Sequence, residues 1–283
     1  MAHRNQSSLV STQWLAEHLG DGDVVVLDGG FQMPGAPTTA AQDYAAAHIP
    51  GALFFDIDRI ADTSSGLPHT LPSPEAFAAA AGGLGISNET FVVVYDGPGL
   101  ISAGRVWWML RIFGHERVAV LDGGLRKWIA EGRDVTAAVP VPKQAIFRAS
   151  FRPELLRNKA QVLADLTTRH EQIVDARSAG RFAGIDPEPR PGLRGGHIPG
   201  GLNLPFGLLT DSSTGEIKPD SEIRALFKKA GVDLSRPLVA SCGSGVTSAA
   251  LAFALHLTGK DDVAIYDGSW SEWGWPGDTP VEI

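Results

Sequence analysis

Short apolar runs alternate with longer segments of helical character along this chain. In the first half, DVVVLDG, FVVVYDG and RVAVLDGG are aliphatic, β-branched runs closed by Asp-Gly, the pattern of a buried strand entering a turn. TTAAQDYAAAH, SPEAFAAAAGGLG and SAGRVWWMLRIFG, rich in good helix formers, read as helices placed among them. The second half repeats the alternation with QIVDA, PLVASC and DVAIYDG. Strands alternating with helices predict α/β domains, each built on a mainly parallel sheet covered by helices on both faces.

The two halves also match residue by residue. Asp28 in VVVLDGG answers Asp175 in QIVDARS, and HIPGALFFDID from His48 answers HIPGGLNLPF from His197. VAVLDGGLRKW, ending at Trp128, answers VAIYDGSWSEW, ending at Trp273. These matches keep one order and nearly one offset, and a period of that size is a domain rather than a solenoid repeat. The expected division is a first copy over residues 1–140, a linker over 141–157 and a second copy over 158–283. The Pro-bearing stretch VTAAVPVPKQAIFRASFRPELLRN, poor in periodicity, marks the join.

Composition narrows the classes. A chain of 283 residues accommodates two ordinary domains, and 43% hydrophobic with 20% charged residues is a soluble globular balance. A net charge of −8 argues against a nucleic-acid or anionic-membrane partner. One cysteine excludes an intrachain disulfide and a multi-cysteine metal site, and it suits a reducing compartment. The first residues lack the apolar core of a signal peptide, and the expected location is cytoplasmic. No strand–GxGxxG–helix context, Walker A lysine or metal-ligand spacing occurs, so neither cofactor nor metal is expected.

The single cysteine lies in SCGSGVTSAA. RPLVASC reads as a strand and TSAALAFALHLTG as a helix stopped by Gly259, which leaves Cys242 at a strand end and Gly243-Ser244-Gly245 turning into a helix N-terminus. Glycines let successive N–H groups converge there, and the first helical N–H groups have no partner within the helix. Such a place favours the thiolate, the nucleophilic form. The competing reading is an inert core cysteine, since free cysteine is among the most buried residue types. The other copy helps to decide. YDGPGLISA (95–103) aligns without a gap on SCGSGVTSA (241–249), so Asp96 stands at the place of Cys242, Pro98 at Ser244 and Ile101 at Thr247. The first copy keeps Gly97 and Gly99 but lacks the thiol and both hydroxyls, which points to a chemical role for Cys242 and a catalytically silent first copy.

Two tandem α/β copies, an HIPG turn in each, a first copy without the thiol and a cysteine loop ending a strand in the second together resemble the rhodanese family. The likeness runs nearly end to end, through RVWWMLRIFGHERVAVLDGGLRKW and YDGSWSEWG. Within the family, CGSGVT is similar to the loop of the members that use 3-mercaptopyruvate. Thiosulfate-using members typically carry two basic residues after the cysteine, where this chain has Gly243 and Ser244. The resemblance implies a sulfurtransferase in which Cys242 takes sulfur from 3-mercaptopyruvate as a persulfide, releases pyruvate, and passes the sulfur to an acceptor thiol such as thioredoxin or glutathione, or to cyanide. It further implies that Arg181 and Arg190 hold the substrate carboxylate and carbonyl, and that Asp58 and His69 of the first copy complete a proton relay to Ser244. Gly243, Gly245, Val246 and Thr247 would then contact substrate through the loop.

Other residues carry plainer expectations. Arg177 follows Asp175 and is expected to pair with it; Arg194 is a surface arginine. Ser244 and Thr247 also suit helix capping. His48 and His197 recur in both copies and read as turn stabilisers, as do Asp122 and Asp267 in their Asp-Gly pairs. The tryptophans read as packing residues, with Trp270 and Trp273 as candidates for the pocket wall. Thiosulfate sulfurtransferase is the nearest alternative. A cysteine phosphatase lacks its loop-closing arginine here, and a non-enzymatic binding module would not need the thiol with its arginines.

Overall fold

The computed structural model describes residues 5–283. The first sheet contains β1 (Leu9–Val10), β2 (Val24–Asp28), β3 (Leu53–Phe54), β4 (Phe91–Tyr95) and β5 (Val118–Leu121), in the order β1-β5-β4-β2-β3. The second contains β6 (Leu156–Arg157), β7 (Gln172–Asp175), β8 (Leu202–Asn203), β9 (Leu238–Ser241) and β10 (Val263–Tyr266), in the order β6-β10-β9-β7-β8. Every pairing within these sheets is parallel, and the two orders trace the same path. Helices α1 (Thr12–His18), α2 (Ala40–Ala46), α3 (Pro74–Gly83), α4 (Ala103–Ile112) and α5 (Gly124–Ala130) accompany the first sheet. Helices α6 (Lys159–Thr168), α7 (Ala179–Phe182), α8 (Asp220–Lys229), α9 (Ser248–Leu257) and α10 (Ser269–Trp273) accompany the second. The central strands β5, β7, β9 and β10 are buried at every position, as strands covered on both faces must be.

The core decides how the copies sit together. One hydrophobic cluster runs through both, from Leu27 and Phe77 beside the first sheet to Leu238 and Ile265 in the second. At its centre α4 packs against α9, and all ten residues of each are buried. A helix apolar on all sides belongs inside a protein, which is the sense of SAALAFALHL. Gly104 lets the helices meet, because a Cβ there would stand 3.1 Å from the Ala249 backbone. The outer face of each sheet has a separate, smaller cluster, around Trp128 in one case and around Trp270 and Trp273 in the other.

Residues 137–152 hold no helix or strand and run along the first unit. Their backbone is satisfied by contacts such as Ala145 N to Gly82 O (2.9 Å) and Ser150 N to Phe113 O (2.9 Å). No helix among the described residues is long and apolar enough to cross a membrane.

Candidate active site

β9 delivers Cys242 to the loop before α9, beyond the carboxyl end of the sheet, where ligands of parallel α/β folds bind. The loop is pinned from outside. Cys242 N donates to Ser269 Oγ (3.1 Å), Trp270 N donates to Cys242 O (3.0 Å), and the Ser271 amide and hydroxyl both donate to Gly243 O (2.7 Å each). Gly245 has φ of +79°, and its carbonyl accepts from Ser248 Oγ (3.1 Å) and Arg105 Nη1 (3.2 Å).

The first copy shows what such a loop does with a negative charge. The Asp96 carboxylate accepts from the amides of Gly99 (2.6 Å), Ile101 (2.7 Å), Ser102 (2.7 Å) and Ala103 (2.9 Å). Asp96 occupies the ring of amides with an anion that is part of the chain. The corresponding positions around Cys242 are Gly245, Thr247, Ser248 and Ala249.

Cys242 is buried, 1% exposed, and forms part of the shared hydrophobic cluster, yet it also lines a cavity of about 180 Å³. Gly243, Ser244, Val246 and Thr247 line it from the same loop; Arg177, Ser178, Arg181, Arg190 and Phe206 from the rest of the second unit. The first unit supplies the remaining wall with Phe31, Met33, Pro34 and Ile101. Gly245 does not line it, and neither does Trp270 or Trp273. Both tryptophans are fully enclosed, with indole N–H groups bonded to the carbonyls of Arg194 and Pro280.

Ser244, His69 and Asp58 come together across the domain boundary. Ser244 Oγ lies 2.9 Å from His69 Nδ1, and His69 Nε2 lies 2.8 Å from Asp58 Oδ1. The bond from His69 holds the Asp58 carboxyl below the usual carboxylate range; partial burial opposes this, and Arg190 adds to it. Ser244 is therefore not a capping residue, and Thr247, at the N-cap of α9, makes no side-chain capping bond. Among the described residues, His69 is one of three non-glycine residues with positive φ, at +63°, a conformation that costs about 1–3 kcal/mol and persists where its surroundings impose it.

The two arginines differ. Arg181 gives Nε (3.2 Å) and Nη2 (2.5 Å) to Glu188. Arg190 makes no hydrogen bond or ion pair to protein among the described residues. Burial holds Arg190 below its usual range, the nearby Cys242 thiol works the other way, and Arg181 adds to the depression. The free, partly dehydrated cation beside the thiol is Arg190. Arg177 pairs with Asp175 through Nε (2.9 Å) and Nη2 (2.6 Å), and also with Glu188 (2.8 Å). Arg194 binds the carbonyls of Trp273 and Thr279 (2.9 Å each), so it is a structural brace, not a loose surface side chain. His48 and His197 hold their turns by bonds from Nδ1 to Tyr44 O (2.7 Å) and Phe182 O (2.9 Å).

The reading of Asp122 and Asp267 as turn residues is incomplete, because both reach across the interface. Asp122 Oδ1 accepts from Ile217 N (2.8 Å), and Asp267 Oδ2 accepts from Leu71 N (2.7 Å). Sequence reasoning also passed over Arg105 and Glu188. Arg105 had one visible signal, a lone charge in the apolar run SAGRVWWMLRIFG. Glu188, among prolines in IDPEPRPG, had none.

A family model described as the rhodanese-like domain matches residues 11–131 and again residues 158–274. This chain belongs to the rhodanese family. A thiosulfate sulfurtransferase of Cricetulus griseus is 48% identical over 274 residues, covering 94% of this chain and 91% of that protein. A human 3-mercaptopyruvate sulfurtransferase is 46% identical over 274 residues with the same coverage. Among solved structures, the Escherichia coli 3-mercaptopyruvate sulfotransferase SseA superposes with a TM-score of 0.85 at 41% identity, over 94% of this chain and 99% of that one. Rhodanese relatives with different named donors thus lie at nearly the same distance, and overall identity does not choose between them.

Proposed function

We propose that this protein is a sulfurtransferase that takes sulfur from 3-mercaptopyruvate onto Cys242 and passes it to an acceptor thiol or cyanide. The observation that carries the choice of donor is the hydrogen-bonded chain from Ser244 through His69 to Asp58 beside the thiol. Attack of the Cys242 thiolate on the donor sulfur forms a sulfur–sulfur bond. The carbon–sulfur bond breaks with its electron pair left on carbon, as the enolate of pyruvate, and this product needs a proton. His69, held by Asp58, hydrogen-bonds Ser244, whose hydroxyl donates to the enolate oxygen or passes a proton on. Arg190, with Arg181 braced by Glu188, receives the carboxylate and ketone. The loop amides stabilise the thiolate and persulfide as they stabilise Asp96 in the silent copy.

The persulfide returns to thiolate when an external nucleophile removes its outer sulfur, since no second cysteine is present to resolve it. Thioredoxin, glutathione and cyanide all fit that role, and the expected setting is a reducing compartment such as the cytoplasm. Thiosulfate is the second reading, favoured by the 48% identical relative. Against it, Gly243 and Ser244 give the loop no charge for a sulfonate dianion.

The test is initial rates with each donor, cyanide as acceptor, for the wild type, Arg190→Ala and Ser244→Ala. A mercaptopyruvate preference that falls about 10²-fold in each variant supports the reading. A thiosulfate preference indifferent to both substitutions replaces it with the second reading.

A further inference from the structure

We propose that Arg105 is a positioning residue whose guanidinium sets the register between His69 of the silent domain and Ser244 of the catalytic loop. The proposal rests on the relay reading above. Arg105 sits in α4 with no exposed surface. Nη2 donates to the backbone carbonyl of His69, while Nη1 donates to Gly245 O (3.2 Å) and to Asp267 Oδ1 (2.7 Å). Asp267 turns its other oxygen to Leu71 N at 2.7 Å. The chain at His69 is therefore gripped on both sides, at its own carbonyl and at the amide two residues on.

That grip answers a need. His69 holds φ of +63°, which a side-chain-bearing residue keeps only where its surroundings impose it. The bonds of its imidazole to Ser244 and Asp58 restrain the ring, not the backbone. At the other end, Gly245 directly follows Ser244. One planar fork thus spans both ends of the 2.9 Å His69–Ser244 contact. Trp108 fixes the plane of the fork, with the guanidinium carbon 4.7 Å from its ring centroid.

Scaffold needs alone do not account for this arginine. The gap-free match of the two loops continues into α4 and α9 and sets Leu251 at the corresponding place. Arg105 Nε is also buried without a hydrogen-bond partner among the described residues, an arrangement that stability by itself disfavours. Lysine would keep a charge near Asp267 but not the fork that joins two carbonyls and a carboxylate.

The experiment is a double-mutant cycle on the full chain, with mercaptopyruvate and cyanide, combining Arg105→Lys and His69→Gln, with pH profiles of kcat. Arg105→Lys is expected to lower kcat about 10- to 100-fold, to move KM much less, and to add little to the loss caused by His69→Gln. The pH limb that disappears in His69→Gln is expected to weaken in Arg105→Lys. Losses that multiply, or a kcat that falls with the limb unchanged, overturn the proposal. If Arg105→Lys does not fold, judged by circular dichroism, Asp267→Asn loosens the same clamp and is read by the same criteria. His69→Gln at wild-type kcat would defeat the relay reading itself; loss in His69→Gln with multiplying effects defeats the Arg105 proposal alone.

Discussion

The loops at Asp96 and at Cys242 leave corresponding strands, β4 and β9, and enter corresponding buried helices, α4 and α9, yet one is filled and the other is open. In the first, a carboxylate fixed to the chain takes four amide hydrogens. In the second, Cys242 stands at the corresponding place and lines a cavity. The strand–loop–helix scaffold is shared by both copies, whereas the chemistry depends on the side chain placed in the loop. The surroundings differ in the same sense. Around Cys242 stand Arg190, Arg181 and the Ser244 hydroxyl; the corresponding cavity of the first copy is walled by Asp28, Asp43, Asp96 and Pro98. A site with its own carboxylates repels an anionic donor, so the first copy lacks both the thiol and a charge suited to one.

The harshest way to break the comparison is to make the second loop resemble the first. Cys242→Asp is expected to abolish thiocyanate formation, by at least about 10⁴-fold, while thermal unfolding stays level or rises because the carboxylate finds the amides. A lower Tm would mean that the loops are not equivalent. The reverse change empties the filled loop. Asp96→Ala leaves several buried amides without an acceptor and is expected to cost about 2–5 kcal/mol in urea unfolding.

The interdomain aspartates offer a finer contrast. Asp267 is paired with Arg105, whereas Asp122 meets the Ile217 amide and is pushed up to about 6 from 3.8, chiefly by burial. Its raised value favours the protonated form, so its contribution to stability is complete below the unfolded value and is lost as pH rises toward 6. Asp122→Asn, which keeps the acceptor oxygen, is expected to be neutral near pH 4 and more stable than the wild type by about 1–3 kcal/mol at pH 8. Paired thermal melts at the two values check the sign; an advantage at low pH would contradict it. The smallest effect concerns Thr247, which faces the cavity where the first copy has Ile101. Thr247→Val is expected to lower kcat/KM about 3- to 10-fold without changing Tm, if the hydroxyl meets substrate.

The sequence by itself determined the features carried by short-range pattern. Apolar runs marked β2, β4, β5, β7, β9 and β10 but not the two-residue strands β1, β3, β6 and β8; the internal matches gave the duplication, and the aspartate at the place of Cys242 distinguished the two loops. These follow from hydrogen bonding and side-chain periodicity over a few residues, which composition and spacing record directly. Only the tertiary structure decided what the copies do to each other. Ser244 and His69 are separated by 175 positions, and their contact exists because α4 and α9 pack at Gly104. The family resemblance implied that Arg181 and Arg190 share one task, but folding gives Arg181 to Glu188 and leaves Arg190 without a protein partner among the described residues. Asp267 looked like half of a turn until packing brought Leu71 and Arg105 to its two oxygens. A buried charge takes whichever partner the fold brings within about 3 Å, and that choice is made by packing between distant segments, not by neighbours along the chain.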